Sequence, residues 1–208
     1  MTGTPPLRGA VVIGVDLGGT KTAAAAVSRD GGVGPLRTVP TPAQAGPGPI
    51  LDAVAGLVRE VAAGAGGPVL GLGVGTAGVV DVTTGTIVSA TDAIAGWTGT
   101  DVAGGLRGRL ADLALGGVHV ENDVDAHAAG EAWRGAAAGL PSVLMVAVGT
   151  GVGGAVVLDG RPLRGAHHVA GEIGHLPTPG AEGLRCRRRL AIPATRGGAV
   201  QSIERRQR

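Results

Sequence analysis

Two stretches of this 208-residue sequence share one plan, an apolar strand that breaks into a turn of glycine and threonine. The first is Val12-Ile-Gly-Val-Asp-Leu-Gly-Gly-Thr20, and the second is Met145-Val-Ala-Val-Gly-Thr-Gly-Val-Gly153. A further apolar strand follows each of them, at residues 22–28 and 154–158. A duplicated strand–turn–strand unit predicts two similar domains that face one another across a cleft. Chance similarity is the alternative, because the chain contains 41 glycines.

Composition limits what can fill the core of such domains. The sequence has no phenylalanine, no tyrosine and two tryptophans, so Ala, Val, Leu and Ile must form the core. A hydrophobic content of 44% lies near the globular average and argues against disorder. The single cysteine, Cys186, excludes an internal disulfide framework and cannot build a thiolate zinc site by itself. The sequence shows neither a signal peptide nor an apolar stretch near the roughly 18 residues that span a membrane, so we expect a soluble, cytoplasmic protein.

The charge of the chain is unevenly distributed. Residues 185–208 hold 8 basic residues and one acid, a formal +7, whereas residues 1–184 hold 10 basic and 15 acidic residues, a formal −5. A basic tail can bind nucleic acid or an acidic membrane. No aromatic residue interleaves these arginines, and we expect neither partner. A solvated tail and a segment that is not native coding sequence are the alternatives.

Hydrophobic periodicity alternates between strands and helices along the chain. The apolar positions between Ile50 and Val61 recur at helical spacing, and Arg29-Asp-Gly-Gly32 indicates a hairpin. Four prolines between Pro40 and Pro49 predict a linker or surface loop. Strands are predicted at residues 11–16, 22–28, 69–74, 118–120, 142–148 and 154–158, and helices at 50–61, 101–110 and 123–138.

The stretch Asp16-Leu-Gly-Gly-Thr-Lys21 combines a carboxylate, two glycines, a hydroxyl and an ammonium group at a strand end. Glycines let backbone N–H groups approach phosphate oxygens, while the hydroxyl and the ammonium add donors. The Asp16 carboxylate can hold Mg²⁺ directly or through water, and Lys21 is the only lysine in the chain. An ordinary hairpin turn is the alternative, since the stretch matches neither Gly-x-x-x-x-Gly-Lys-Ser/Thr nor Gly-x-Gly-x-x-Gly.

Two further groups of polar residues are candidates for chemistry. Glu121-Asn-Asp123 follows an apolar strand at the start of a predicted helix, where Asp123 could accept the proton of an alcohol that attacks phosphorus. Asp is also a common helix N-cap, and both roles can coexist. Glu172 and His175 pair an acid with an imidazole in a loop, for which a structural histidine is the alternative.

Together these motifs resemble the ROK sugar kinases, a branch of the actin-like ATPase superfamily, and most of all the bacterial glucokinases. The resemblance runs from Val11 to Leu184. The stretches that carry it are Val15-Asp-Leu-Gly-Gly-Thr-Lys21, Gly73-Val-Gly-Thr-Ala-Gly78, Gly96-Trp97, Glu121-Asn-Asp123, Val148-Gly-Thr-Gly-Val-Gly-Gly154 and Leu158 to His175. It implies an α/β, actin-like ATPase (ribonuclease H-like) fold with two lobes around a cleft and an incomplete second lobe. The implied domains are a smaller lobe at 1–122, the start of a larger lobe at 123–184 and a tail unrelated to the family at 185–208.

The resemblance also implies roles for individual residues. The sugar 6-hydroxyl would give its proton to Asp123, while Asn122 would hold neighbouring hydroxyls. Glu172 and His175 would contact the far side of the sugar ring. The phosphates of Mg-ATP would lie between two turns, and the residues implied in ATP and Mg²⁺ binding are Asp16, Gly18, Gly19, Thr20, Lys21, Gly149, Thr150 and Gly151.

The sugar itself stays open. Many family members carry Asn-Leu-Pro-Gly-Trp, with the Asn in contact with sugar, where this chain has Ala93-Ile-Ala-Gly-Trp97. That contact is either lost or moved to Asp92. Members of the family phosphorylate glucose, fructose, N-acetylglucosamine or N-acetylmannosamine, and glucose is the default here.

The resemblance fails near Cys186. In the family, His175 binds a structural zinc with three cysteines, of which this chain supplies only Cys186. We therefore expect the zinc site at His175 and Cys186 to be a remnant without function. We hypothesise that a frameshift or a gene-model error after about Cys186 replaced the native C-terminus, with a truncated paralogue as the alternative. In either case, exposed apolar surface predicts poor stability and weak or absent activity. An intact family member is expected to form a homodimer, and the missing part of the larger lobe puts that dimer in doubt for this chain.

Three functions follow from the sequence. The first is an ATP:hexose 6-phosphotransferase, and the second is a catalytically inactive remnant that binds sugar or nucleotide. The third is a transcriptional regulator of the same family, which would need a helix-turn-helix domain before Val11, where about ten residues stand. The sequence favours the first.

Overall fold

The computed structural model of the chain describes Leu7, residues 9–148 and residues 152–175. It separates into two compact units, Met1–Asp123 and Val124–Arg208. In the described part, no helix has the length and apolar character needed to cross a membrane. The strands are β1 (Val11–Leu17), β2 (Lys21–Ser28), β3 (Arg37–Pro40), β4 (Val69–Thr76), β5 (Val79–Asp81), β6 (Thr86–Ser89), β7 (Val118–Asn122), β8 (Ser142–Val148), β9 (Val152–Leu158) and β10 (Arg161–Pro162). The helices are α1 (Pro47–Ala63), α2 (Val102–Arg109) and α3 (Asp123–Arg134), with 3₁₀ turns at Ala111–Leu113 and Ile173–His175.

The first unit is organised around a mixed five-stranded sheet with the order β3-β2-β1-β4-β7. Strand β1 pairs antiparallel with β2 and parallel with β4, which pairs parallel with β7. A three-residue turn returns the chain directly from β1 to β2, whereas the route from β1 to β4 includes helix α1. Parallel neighbours require such a crossover, so α1 and the parallel pair belong together.

The core of this unit lies between one face of the sheet and helices α1 and α2. Alternate residues of β1 are at most 5% exposed and meet the apolar stripe of α1. The helical periodicity seen in the sequence is therefore confirmed, since the same positions are buried. Trp97 is the largest fully buried side chain. The buried residues of the stripe are Ile50, Leu51, Val54, Ala55, Leu57, Val58 and Val61.

The opposite face of the sheet is built largely from glycine. Gly71, Gly73 and Gly75 occupy this face of β4, in register with alternate residues of β1 and β7. An open depression of about 410 Å³ lies here, with Val12 on one side and His119 on the other. Because these three positions of β4 carry no side chain, the backbone of the strand is accessible on this face.

Several predicted element boundaries need correction. The prolines of the predicted loop at residues 40–49 are divided between elements, because Pro40 ends β3 while Pro47 begins α1. Proline is compatible with the first turn of a helix, where its missing N–H has no partner to lose. Helix α3 ends at Arg134 rather than at residue 138, and the Glu131 carboxylate accepts the Ala136 N–H just beyond it at 2.8 Å. Strands β3, β5, β6 and β10 were not predicted.

The second unit contains a three-stranded antiparallel sheet with the order β10-β9-β8 and the helix α3. Its buried cluster is small and consists of Ala128, Ala155 and Val157. Val143 and Met145 of β8 pack against this cluster. Gly153 lies on the same face, where an added Cβ would stand 2.8 Å from Val124 Cγ2, so α3 approaches the strand closely.

The hairpins that begin the two sheets match residue for residue. Val11–Leu17 pairs with residues 22–28, and Ser142–Val148 pairs with residues 152–158, so each ladder joins seven residue pairs. Both ladders are antiparallel, and each outer strand of the hairpin pairs antiparallel with a third strand. The strand–turn–strand duplication seen in the sequence is confirmed at the level of these hairpins.

Candidate active site

Three chain segments with candidate residues meet at one edge of the first sheet. Because β1, β4 and β7 are parallel, their carboxyl ends lie at the same edge. The register places Leu17 beside Thr76, and Thr76 beside Asn122. One residue earlier, Asp16, Gly75 and Glu121 form a second row. The turn at 18–20 is the candidate phosphate-binding turn and is termed the phosphate-type turn. It thus lies about two strand spacings, roughly 10 Å, from the Glu-Asn-Asp motif.

The turn between β1 and β2 depends on Gly18. Its N–H donates to the Lys21 carbonyl at 3.1 Å, which closes the hairpin. An added Cβ at Gly18 would stand 2.9 Å from that same carbonyl oxygen, a contact that the backbone cannot accept. At Gly19 the nearest atom to an added Cβ is the Ala93 carbonyl at 3.7 Å, which is ordinary van der Waals contact.

The polar side chains of this turn face solvent. Asp16, Thr20 and Lys21 are all exposed, so a ligand can reach their carboxylate, hydroxyl and ammonium groups. The Thr20 carbonyl accepts the Thr41 N–H at 3.0 Å, which ties the turn to the loop after β3. The turn can bind an anion through its backbone and side-chain donors, and it can bind a cation through the Asp16 carboxylate.

Asn122 and Asp123 stand at the end of β7 and the start of α3. The Asn122 amide Nδ2 donates to the Gly78 carbonyl at 2.9 Å, which orients the side chain at the sheet edge. Asp123 is half-buried and begins α3, so its charge lies in the first turn, where the helix dipole stabilises an anion. It lies one position beyond the N-cap expected in the alternative interpretation, a difference within the usual uncertainty of helix boundaries. Glu121, which the sequence analysis left without a role, is buried, and its Oε2 lies 3.5 Å from Nε2 of His119.

The segment that holds Asp92 lies against the same turn. Ala93 makes the contact with Gly19 described above, and the Ala95 N–H donates to the Ala43 carbonyl at 2.8 Å. Asp92 itself is exposed. The loop at 41–45 therefore bridges the phosphate-type turn and the Asp92 segment, and an open depression of about 570 Å³ lies between it and Thr20.

Comparison with known proteins decides the family. Residues 12–187 match the ROK family. This chain belongs to the ROK family. The glucokinase of Halalkalibacterium halodurans is 32% identical over 177 residues, which are 84% of this chain and 52% of that protein.

Solved ROK structures share the fold. The ROK hexokinase from Thermus thermophilus is 35% identical, with a TM-score of 0.72 over 85% of this chain and 56% of that one. The ROK glucokinase from Streptomyces griseus, solved in complex with glucose and AMPPNP, is 34% identical with a TM-score of 0.67 over 81% of this chain and 51% of that one. The predicted α/β, actin-like ATPase fold is confirmed. The chain spans about half the length of the curated relatives it matches.

The remaining ROK motif residues belong to the second unit. Glu172 is half-buried, in a loop where the Gly171 carbonyl lies against Gly154 of β9. His175 ends the 3₁₀ turn Ile173–His175, so the structure brings Glu172 and this turn into one short segment. The predicted phosphate residues of the second turn, and the predicted metal ligand of the tail, lie outside the described residues: Gly149, Thr150, Gly151 and Cys186.

Metal-ligating side chains do not cluster in the described part of the chain. It contains no group of three or more His, Cys, Asp or Glu side chains that could hold a metal ion. The remnant zinc site expected at His175 and Cys186 stays a prediction, because Cys186 is outside that part.

Two buried polar atoms in the first unit were missed by the sequence analysis. Thr76 Oγ1 and Trp97 Nε1 are both buried, and neither has a hydrogen-bond partner among the residues that the structure describes. Thr76 ends β4 at the edge where the candidate residues meet. The sequence does carry a signal for Thr76, because a threonine ends an apolar strand directly before Ala77-Gly78.

Proposed function

We propose that residues 12–187 are the N-terminal part of an ATP-dependent hexose 6-phosphotransferase of the glucokinase type. The single observation that carries this proposal is the register of β1, β4 and β7, by which the Gly18–Thr20 turn and the Asn122–Asp123 pair follow strands that end at the same edge of the sheet, about two strand spacings apart. The relatives named glucokinase support it, as does the Streptomyces griseus structure with glucose and AMPPNP. Neither nucleic acid nor membrane is part of the proposal.

The nucleotide would bind at the two glycine turns. Backbone N–H groups of Gly18 and Gly19, with the Thr20 hydroxyl and the Lys21 ammonium, would hold phosphate oxygens, and Asp16 would hold Mg²⁺ directly or through water. The second turn, Gly149-Thr-Gly151, would supply equivalent donors. Fixed donors of this kind stabilise the charge that develops on a transferred phosphoryl group.

The sugar would bind at the end of β7. Asn122 and Asp92 would hold hydroxyl groups on one side, and Glu172 and His175 would hold the other side. The Asn122 carboxamide is already oriented by its bond to Gly78, so its ordering requires little additional entropy loss when sugar binds. Ala93 stands where many family members carry an Asn that contacts the sugar, so glucose is a default substrate that these residues do not select.

Asp123 would act as the general base of the transfer. As the sugar O6 forms its bond to the γ-phosphorus, the bond between that phosphorus and the leaving ADP oxygen breaks. The proton of the 6-hydroxyl passes to the Asp123 carboxylate, and the products are sugar 6-phosphate and ADP.

Calorimetric titration and turnover of the 208-residue chain test this proposal. We expect saturable binding of Mg-AMPPNP that Lys21→Ala weakens at least about tenfold, and little effect of Arg107→Ala, which removes an equally exposed cation from α2. Asp123→Asn should retain binding of both ligands and lose the weak ADP release that we expect of the unmodified 208-residue chain in the presence of glucose. Unchanged nucleotide binding in Lys21→Ala would contradict the proposed phosphate site.

A binding protein without turnover is the second candidate. The exposed apolar residues of β8 favour it: in the described part of the second unit, Leu144, Val146 and Val148 on one face of the sheet are all more than half exposed. In that case both ligands bind, the Lys21→Ala effect remains, and no ADP release depends on Asp123.

A further inference from the structure

The last row of residues across β1, β4 and β7 brings polar side chains into the edge of the first core. In this row Thr76 of β4 lies between Leu17 of β1 and Asn122 of β7. Paired residues of neighbouring strands point to the same face of a sheet, and Leu17 belongs to the core that α1 and α2 cover. The row before it is apolar and at most 5% exposed, and it consists of Val15, Val74 and Val120.

Thr76 carries the polar atom of this row that the fold leaves unsatisfied. The residue is 0% exposed, and no described residue offers its Oγ1 a hydrogen-bond partner. A buried hydroxyl without a partner costs free energy, whereas a valine of the same shape, such as Val74 two residues earlier on the same face, does not. The stability of the free protein therefore does not account for this hydroxyl.

The Asn122 carboxamide extends along the end of β4. Its Nδ2 donates to the carbonyl of Gly78, two residues beyond Thr76, at 2.9 Å. Gly78 packs closely against β6, since an added Cβ would stand 2.7 Å from the Ser89 carbonyl oxygen. The Cα atoms of paired residues on neighbouring strands are about 4.8 Å apart, so the Thr76 and Asn122 side chains are immediate neighbours on one face.

We propose that Thr76 is a positioning residue for the acceptor sugar, a role that rests on the proposed function of Asn122 as a sugar ligand. When sugar binds, the Thr76 hydroxyl donates to Oδ1 of Asn122, while Nδ2 keeps its hydrogen bond to Gly78. A carboxamide has two donor hydrogens and an oxygen with two lone pairs, so one donor and one acceptor stay available for sugar hydroxyls. The last side-chain torsion of asparagine is broad, so the small rotation that this bond needs costs little.

The bond from Thr76 fixes the oxygen end of the carboxamide. The bond to Gly78 already orients the nitrogen end, and an anchor at each end prevents the oxygen and the nitrogen from exchanging places. Asn122 then presents its acceptor and its donor to the sugar in one arrangement. Thr76 acts through Asn122, because it is itself fully buried. Sugar binding satisfies a hydroxyl that is unpaired in the free protein, and the removal of that cost adds to the affinity.

Asn122 is the only asparagine in the sequence, which makes its side chain a selective probe. In the 208-residue chain isotope-labelled at asparagine for NMR, one pair of side-chain amide resonances reports on this carboxamide. We expect a titration with glucose to shift this pair in the unmodified chain. Thr76→Val should lower the glucose affinity obtained from the same titration at least about fivefold, the effect of one neutral hydrogen bond.

Two further variants separate positioning from packing. Thr76→Ser keeps the hydroxyl and should bind glucose within about twofold of the unmodified chain. Thr22→Val is the matched control, because Thr22 is 1% exposed and pairs with Leu17 in the same row of the sheet. Its hydroxyl bonds to Thr41, so Thr22→Val should lose stability while the glucose affinity stays within about twofold. Thr76→Val should show the opposite, a loss of affinity without a loss of stability.

Two results would overturn the positioning role alone. One is a glucose affinity that Thr76→Val leaves unchanged, and the other is an equal loss of affinity in Thr76→Val and Thr76→Ser, which would assign the effect to packing. A failure of the proposed function is distinguishable from both. In that case glucose would leave the Asn122 resonances of the unmodified chain unshifted, which would overturn the sugar site and the role of Thr76 together.

Discussion

At the scale of single residues, the turn between β1 and β2 distinguishes its two glycines. Gly18→Ala forces a Cβ to within 2.9 Å of the Lys21 carbonyl, so the hairpin must open, and we expect a loss of about 1–3 kcal/mol of stability. Gly19→Ala meets only ordinary contacts and should change stability by less than about 0.5 kcal/mol. Urea denaturation followed by circular dichroism measures both. Equal losses in the two variants would show that the turn tolerates neither side chain for reasons other than this clash.

Two buried threonines of the first sheet should differ in how replacement by valine changes the stability of the protein. Thr76 Oγ1 is buried and has no partner within the described part of the chain, so Thr76→Val should be neutral or stabilise the protein by up to about 1 kcal/mol. Thr22 Oγ1 lies 2.8 Å from Thr41 Oγ1, so Thr22→Val should cost about 0.5–1.5 kcal/mol. Midpoints of thermal unfolding compare the two variants. A larger loss in Thr76→Val than in Thr22→Val would mean that the Thr76 hydroxyl has a partner in solution, such as a buried water.

Some features of the candidate site could be predicted from the sequence, and others could not. The spacing of Asp16 and Lys21 and the position of Asp123 after a strand could be seen in the sequence, because local motifs encode them. The bond from Asn122 to Gly78 and the burial of Glu121 could not, because both depend on the pairing of β4 with β7. Strand register is set by contacts between residues distant in the sequence, which no local pattern contains.

At the scale of elements, surface ion pairs connect α1 to α2 and the turn after it. The Arg59 guanidinium contacts both carboxylate oxygens of Asp112, at 3.0 and 2.9 Å, and Arg109 pairs with Asp52 at 2.6 Å. The hydrogen bond from Arg59 holds the pKa of Asp112 below its ordinary value. A carboxylate whose pKa is lowered in the folded state adds stability above its unfolded pKa and loses it as the pH falls through the folded pKa.

The lowered pKa of Asp112 predicts how the stability of an Asp112→Asn variant depends on pH. We expect the variant to be slightly less stable than the unmodified chain at pH 7. The difference should vanish as the pH falls through the folded-state pKa of Asp112, below which the carboxyl is protonated in both states. The difference at pH 7 should shrink in 1 M salt, because the pair is exposed. Urea denaturation across the pH range measures this. A difference that persists at low pH would assign the effect to packing rather than to charge.

Long periodic elements were easier to predict than short ones. Helix α1 and strand β8 were predicted from apolar spacing, since seven or more residues repeat one pattern. Strands β5 and β6 have three and four residues, and their pairing depends on the turn at Gly85, whose φ of 76° favours glycine. Such short strands have too few positions for a period to be recognised.

At the scale of the whole molecule, the two units differ in how fully they bury their sheets. The first has a continuous core between its sheet and two helices, whereas the buried cluster of the second holds three apolar residues among those that the structure describes. The composition predicted an aliphatic core without aromatic contributions, and Trp97 is the one correction, because it fills the first core as its largest side chain. The prediction of weak activity for the 208-residue chain rests on the exposed face of the second unit.

The central claim is that residues 12–187 carry the proton acceptor and the phosphate site of a sugar kinase. A chimaera tests it most directly, with residues 12–187 in place of the matched region of the Halalkalibacterium halodurans glucokinase. The initial rate of glucose 6-phosphate formation is measured with ATP, for the chimaera and for its Asp123→Asn form. We expect ATP-dependent product from the chimaera and a loss of at least about a hundredfold in Asp123→Asn, with the KM for ATP unchanged within about twofold. A folded chimaera that binds both ligands without turnover, or one whose rate does not depend on Asp123, would contradict it.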